Sequence, residues 1–222
     1  LMNTYSEERS APIDLRSLQL SSLKRLLSLN KNTSSDDLVN DDSYVWKILI
    51  FDHFCQESLS TIFKVGNLRD ENITLHLNLH SQRDKIHGVN TIYYIQPTKA
   101  NIDRLVEDFA KDLYDSVLII FPYPISNELL GKLSKGIAKY NAFYKLKQVF
   151  QHHLNYIAST ANLFDLDMPD VYASIRKPEL RPQVIDAISH SIISVLMSLK
   201  MLPVITFQSG FAEEVAKRID VI

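Results

Sequence analysis

The amino-acid sequence predicts an α/β fold: a Rossmann-like parallel sheet flanked by helices, followed by one further αβ unit that opens a second domain. Three features carry that expectation. Residues 45–52 (VWKILIFD) and 116–121 (SVLIIF) are short, nearly continuous β-favouring runs, the pattern of strands covered on both faces. Another segment has clear helical periodicity, with Ile102, Leu105, Val106, Phe109, Ala110 and Leu113 in one apolar stripe behind Thr98 as cap. Strand and helix signals keep alternating along the chain, which argues for parallel strands joined by right-handed crossovers.

Taken in order, residues 14–29 (DLRSLQLSSLKRLLSL) place Leu20, Leu23 and Leu27 at helical spacing behind Asp14. Residues 30–43 are polar and rich in turn formers, so 1–43 reads as an N-terminal helix and a surface loop. The run 45–52 follows as a central strand. Residues 56–72 have helical character with a break near Gly66, and ITLHLNLH (73–80) alternates with a period of two. TIYYIQ (91–96) is a third strand, stopped by Pro97. After the capped helix and the 116–121 strand comes an amphipathic helix over 127–140, and LNYIA (154–158) and ANLFDL (161–166) extend the β content. The α/β domain therefore occupies 44–166.

Beyond it, MPDVYASIRKPELRP (168–182) has three prolines and reads as an extended linker. A helix over 182–200, a strand over 203–208 and a helix over 211–219 complete the chain. That single unit is too small to close a core of its own, so 167–222 is a linker and an incomplete second domain.

Composition limits the partners. The 222 residues are 45% hydrophobic and 23% charged, as in ordinary globular proteins, and a formal charge of −2 supplies no field to draw nucleic acid. A lone cysteine, Cys55, permits no internal disulfide and fits a reducing, cytoplasmic compartment. The opening LMNTYSEERSAPIDL lacks the apolar core of a secretory leader. The longest apolar stretch, 184–203, is interrupted by Asp186, His190 and Lys200, so direct membrane insertion is not expected and association would run through partners.

Catalytic and cofactor motifs are missing. After the first strand the chain runs HFCQESLS, without the glycines that let backbone approach a phosphate, and only five glycines occur overall. His76 and His80, on an extended strand, would lie roughly 13 Å apart, too far to share a metal. His152 and His153 are adjacent and diverge on any regular element. Cys55 near His53 has no nucleophile signature around it, and Asp36, Asp37, Asp41 and Asp42 look like a solvated loop. No catalytic residue, metal or cofactor is expected. An alternative function is a nucleotide- or small-ligand-binding α/β enzyme, which requires a polar pocket at the carboxyl ends of the strands, near His53 and Gln96.

VWKILIFDHFCQESLSTIFKVGNLRDENITLHLNLHSQRD together with IYYIQPTKANIDRLVEDF resembles the first domain of SM proteins, the family that chaperones syntaxin-containing SNARE complexes. Similarity to the Sly-type branch is greatest in VWKILI, NITLHL with the following RD, and KQVFQHHLNYI, and MLPVITFQSGFAEEVAKRI is similar to the opening of the family's second domain. The resemblance spans about residues 15–222. It implies a non-enzymatic N-terminal portion of an SM protein that regulates SNARE assembly and vesicle fusion in ER–Golgi transport, recruited peripherally to those membranes through SNAREs. Full-length members add a completed second domain and a third, largely helical domain.

The implied partner is the N-terminal peptide of a syntaxin-type SNARE. In Sly-type proteins an aromatic side chain of that peptide enters a pocket formed by one helix and the neighbouring strand and turn, matched here by ISNELLGKLSKGI and YKLKQVFQHH. Carried across by position, the pocket residues are Leu130, Leu133 and Ser134 from the helix and Leu146, Val149 and Phe150 from the second segment. Ser134 stands where the family carries a small apolar residue. By periodicity alone, Leu129, Leu130, Leu133 and Ile137 spread over a wider arc than one seam needs, which leaves two readings: a surplus that forms a binding patch or, the one the residues favour, four core positions. The resemblance assigns Leu130 and Leu133 to the pocket and leaves Leu129 and Ile137 inside. Lys132, Lys135, Lys145 and Lys147 are candidates to face acidic peptide residues, and Glu128 a basic one.

Overall fold

A computed structural model describes residues 14–28 and 46–221, so the polar loop expected at 30–43 lies outside the described residues. Helix α1 (Leu15–Leu27) is capped by Asp14, whose carboxylate accepts the Ser17 N–H at 3.1 Å. Strand β1 (Lys47–Phe51) is buried along its whole length. Helix α2 (His53–Ile62) starts three residues before the expected position, because Asp52 caps it directly at the end of β1 by accepting the Cys55 N–H at 2.9 Å. The expected break near Gly66 falls instead at Phe63–Lys64, and Gly66 lies inside α3 (Val65–Asp70). Strand β2 (Ile73–Asn78) and strand β3 (Asn90–Tyr94) follow.

Helix α4 (Lys99–Ala110) is capped by Thr98 as expected, but its inner face differs from the apolar stripe: Ala110 faces solvent while Asn101 and Asp108 are buried. Strand β4 (Ser116–Phe121) leads to α5 (Asn127–Lys139), capped by Ser126, then to a 3₁₀ turn (Phe143–Lys145) and β5 (Leu146–Gln151). These five strands form one sheet of order β2-β1-β3-β4-β5, with every pairing parallel. β1 therefore sits inside the sheet, as its unbroken apolar run predicts.

Alternation sorts the strand side chains onto two faces. Ile48, Ile50, Tyr93, Ile95, Val117 and Ile119 join α4 and α5 in one core. Leu49, Phe51, Ile92, Tyr94, Leu118 and Ile120 join α1 and α2 in the other. Lys47, only 2% exposed, closes the second layer by donating from Nζ to the Leu27 carbonyl at 2.7 Å, at the carboxyl end of α1.

The later β signals shrink to two short strands, β6 (Ile157–Ala158) and β7 (Phe164–Asp165), paired antiparallel. The expected linker is partly helical: it contains α6 (Val171–Ile175), and Pro182 lies in the first turn of α7 (Arg181–Leu199), where its missing N–H costs nothing. The expected strand at 203–208 does not form. Those residues are exposed and have no ladder partner, which a strand requires. Helix α8 (Phe211–Val221) then packs on α7.

By length and mean hydropathy, 1.3, α7 could cross a bilayer. It is nonetheless packed on protein: Ser189, Ser191 and Ser194 are buried, Asp186 pairs with Arg218 of α8, and Val195 packs against Leu15, Tyr156 and Ala158.

Candidate functional site

The outer flank of α5 is fixed by how the helix meets α4. A Cβ built on Gly136 would lie 2.5 Å from Val106 Cγ2, so the absence of a side chain there lets the two helices approach. One turn earlier Lys132 pairs with Asp103 of α4. At about 100° per residue, Gly136 and Lys132 mark the side turned to α4, and Leu130 and Ser134 fall on the opposite side.

Of the residues assigned to the pocket, Leu130 is 38% exposed and Ser134 is exposed on that flank. Leu146 and Val149 project from β5 onto the same sheet face and are half-buried against the core that contains Leu133 and Ile137. Leu133 is only 1% exposed, so it is core and offers at most the floor beneath Leu130. Phe150 does not belong with the others. Val149 pairs with Ile119 and Phe150 with Ile120, and strand alternation sends Phe150 to the opposite face, against the α1–α2 core.

The basic residues also separate. Lys145 is buried and turned inward, bonded to Asp112 and to the Tyr114 carbonyl, and the Lys145 and Lys85 ammonium groups hold the Asp112 carboxyl down to about 2. Lys132 is bound to Asp103, while Lys135 and Lys147 are exposed, with Lys147 Nζ 3.5 Å from the Tyr144 carbonyl. Tyr140, Phe143 and Tyr144, not singled out by periodicity, stand exposed at the end of α5 and in the following turn. β5 is an edge of the five-stranded sheet, with one row of backbone groups turned away from β4. The surface thus combines apolar side chains at Leu130, Leu146 and Val149, exposed aromatics and a free strand edge. It suits an extended peptide with an apolar anchor.

The carboxyl ends of β1 and β3, where an α/β enzyme would hold its ligand, are tied together by protein groups. Asp52 Oδ2 accepts the Gln96 N–H at 2.7 Å and the Asn101 amide at 2.6 Å, and that amide also reaches the Gln96 carbonyl at 2.9 Å. His80 Nε2 lies 2.9 Å from Asn101 Oδ1. Asp52 and Asn101 are both 5% exposed. Cys55 beside them is buried, and burial first, then the Asp52 charge, push its thiol well above the ordinary range, so it is not a thiolate nucleophile. His76 is exposed and stacks on Phe51.

A second buried network joins Arg83, Asp108 and Tyr93. The Arg83 guanidinium reaches both Asp108 oxygens, at 2.8 and 2.6 Å, and the Tyr93 hydroxyl donates to Asp108 Oδ2 at 2.8 Å. Asp108 falls within the periodic apolar stripe of α4, and a carboxylate at such a position was the sequence signal for a buried partner.

A model of the Sec1 family matches residues 47–222. The chain is 32% identical over 210 residues to Protein sly1 of Schizosaccharomyces pombe, covering 91% of this chain and 33% of that protein. It is 34% identical over 219 residues to Sec1 family domain-containing protein 1 of Rattus norvegicus, covering 93% and 33%. It thus spans about a third of the length of the curated relatives it matches. Among solved structures, Sly1p in complex with an N-terminal peptide of Sed5p superposes with a TM-score of 0.81 at 27% identity, covering 95% of this chain and 38% of that one. The SM protein Vps45 in complex with the Qa SNARE Tlg2 shares the fold, with a TM-score of 0.77 at 21% identity over 94% of this chain and 35% of that one.

Proposed function

The chain belongs to the Sec1 family, and from that premise we propose that it binds the N-terminal peptide of a syntaxin-type SNARE on the outer flank of α5 and β5. Its role is regulatory and non-enzymatic: it recruits an SM protein to SNAREs that act in ER–Golgi transport and membrane fusion. The supporting observation is the partly open apolar surface of Leu130, Leu146 and Val149 beside the free edge of β5, in a chain similar to Sly1p bound to an N-terminal peptide of Sed5p. An aromatic anchor seated there covers about 150 to 250 Å², enough to capture a short peptide whose ordering cost keeps affinity moderate.

Residues 44–166 supply this site, and 167–222 begin the family's second domain. The protein resides in the cytoplasm and reaches ER and Golgi membranes through its SNARE partners. Binding is tested by fluorescence anisotropy with labelled N-terminal peptides of ER and Golgi syntaxins. Saturable micromolar binding that disappears in a folded Leu130→Arg variant is the expected result. Equal binding by that variant removes the site, and no binding of any peptide to the folded chain removes the function.

A further inference from the structure

α7 crosses the carboxyl end of the sheet along a seam of histidines. His190, in the middle of α7, meets the ring of Tyr123 edge-on, with centroids 5.7 Å apart. His153, just after β5, interacts with it electrostatically. The Nδ1 atoms of His153 and His190 are both buried without a hydrogen-bond partner. Two residues after His153, Asn155 donates to Ser191, the neighbour of His190 on α7, at 2.9 Å, while its own Oδ1 is likewise unpartnered. Polar atoms left unsatisfied in this seam weigh against its burial.

We propose that this seam is a proton-operated latch: protonation of His190 or His153 frees α7, with α8, from the carboxyl end of the sheet. A charged imidazole needs donors satisfied at both nitrogens, and neither Nδ1 has an acceptor within reach. The surrounding charges do not compensate. Asp186, on α7, favours the charged form of His190 but is already engaged by Arg218 of α8, and both Arg218 and His153 oppose it. His152, on the other side of His153, faces Arg25 of α1, which also opposes a positive charge. Tyr123 cannot supply a phenolate, since burial first, then the Asp52 charge, pushes its hydroxyl up to about 12.

Burial holds all three imidazoles below their ordinary value of 6.5. With folded-state values depressed, docking of α7 is fully favoured above about 6.5 and is lost as pH falls through the lower values. α8 moves with α7, because the Arg181–Glu214 pair survives this range: the Arg181 guanidinium keeps the Glu214 carboxyl below its ordinary 4.5.

The test is NMR of the described chain between about pH 7.5 and 5.5, following histidine ring protons and backbone amides together. His153 and His190 should titrate below their ordinary range, and amides of 181–199 should shift and broaden with the same midpoint while those of β1, β3 and β4 stay fixed. The titration is carried on down until both rings have protonated, and 181–199 amides that stay unchanged while the rings titrate overturn the proposal. The His153→Gln/His190→Gln protein should keep α7 docked at both pH values, and release that persists in it also overturns the latch. If that variant fails to fold, the titration in the unmodified chain decides alone.

Discussion

Gln19 of α1 grips the backbone of β6: its Nε2 donates to the Tyr156 carbonyl at 2.6 Å and its Oε1 accepts the Ala158 N–H at 3.2 Å. The side chain is fully buried and takes the place of a strand neighbour, tying the first helix to chain 137 residues away. Gln19→Leu leaves the Ala158 N–H without this acceptor and the Tyr156 carbonyl with only the Ser58 hydroxyl at 3.5 Å. It should lower unfolding stability by about 1 to 3 kcal/mol, read as a reduced urea midpoint with an unchanged slope.

Gly136 sets the distance between α4 and α5. In Gly136→Ala the new methyl meets the branched Val106 side chain, whose stiff Cβ cannot swing aside. We expect a loss of about 1 to 3 kcal/mol from overpacking, and partial recovery in the Gly136→Ala/Val106→Ala double variant. Additive losses in thermal unfolding would show that the helices do not meet there.

The Arg83–Asp108 pair is sealed, with side-chain exposures of 0% and 2%. Asp108→Ala strands the guanidinium and should cost about 3 to 5 kcal/mol, whereas replacing both partners with apolar residues should cost much less. Denaturant titrations of the two single variants and the double variant form the cycle that separates these outcomes.

Peptide binding should discriminate between neighbours on β5. Val149→Asp, on the α5 side of the sheet, should weaken N-peptide affinity at least about tenfold, or roughly 1.4 kcal/mol, while Phe150→Leu, on the opposite face, leaves affinity unchanged. Leu133→Arg is expected to unfold the chain rather than block the site, since it places a charge in the core. Circular dichroism beside each anisotropy titration makes the distinction.

Asp112 should titrate late. Its folded-state value, about 2, lies below the ordinary 3.8 because Lys145 and Lys85 donate to it. Its contribution is therefore fully present above about pH 3.8 and lost as pH falls through about 2. Carboxyl-carbon NMR should give a midpoint near 2 that rises toward the ordinary value in Lys145→Met.

Four strands of the sheet and its flanking helices are legible in the sequence, whereas β5 carries neither a continuous nor an alternating apolar pattern. Continuous apolar runs at 48–51 and 117–121 specify buried parallel strands, and Asp14 and Thr98 mark helix starts, because these signals are local and repeat with the period of the element they build. Tertiary structure decided what local periodicity cannot hold. Residues 203–208 have a strand's composition but no partner, and the linker's prolines are compatible with helix because one occupies a first turn. Leu130 and Leu133 are equally apolar, yet packing against α4 turns one to the core and leaves the other at the surface. Which of two like side chains can meet a peptide depends on helix rotation and strand register, and those are set by contacts between segments distant in sequence.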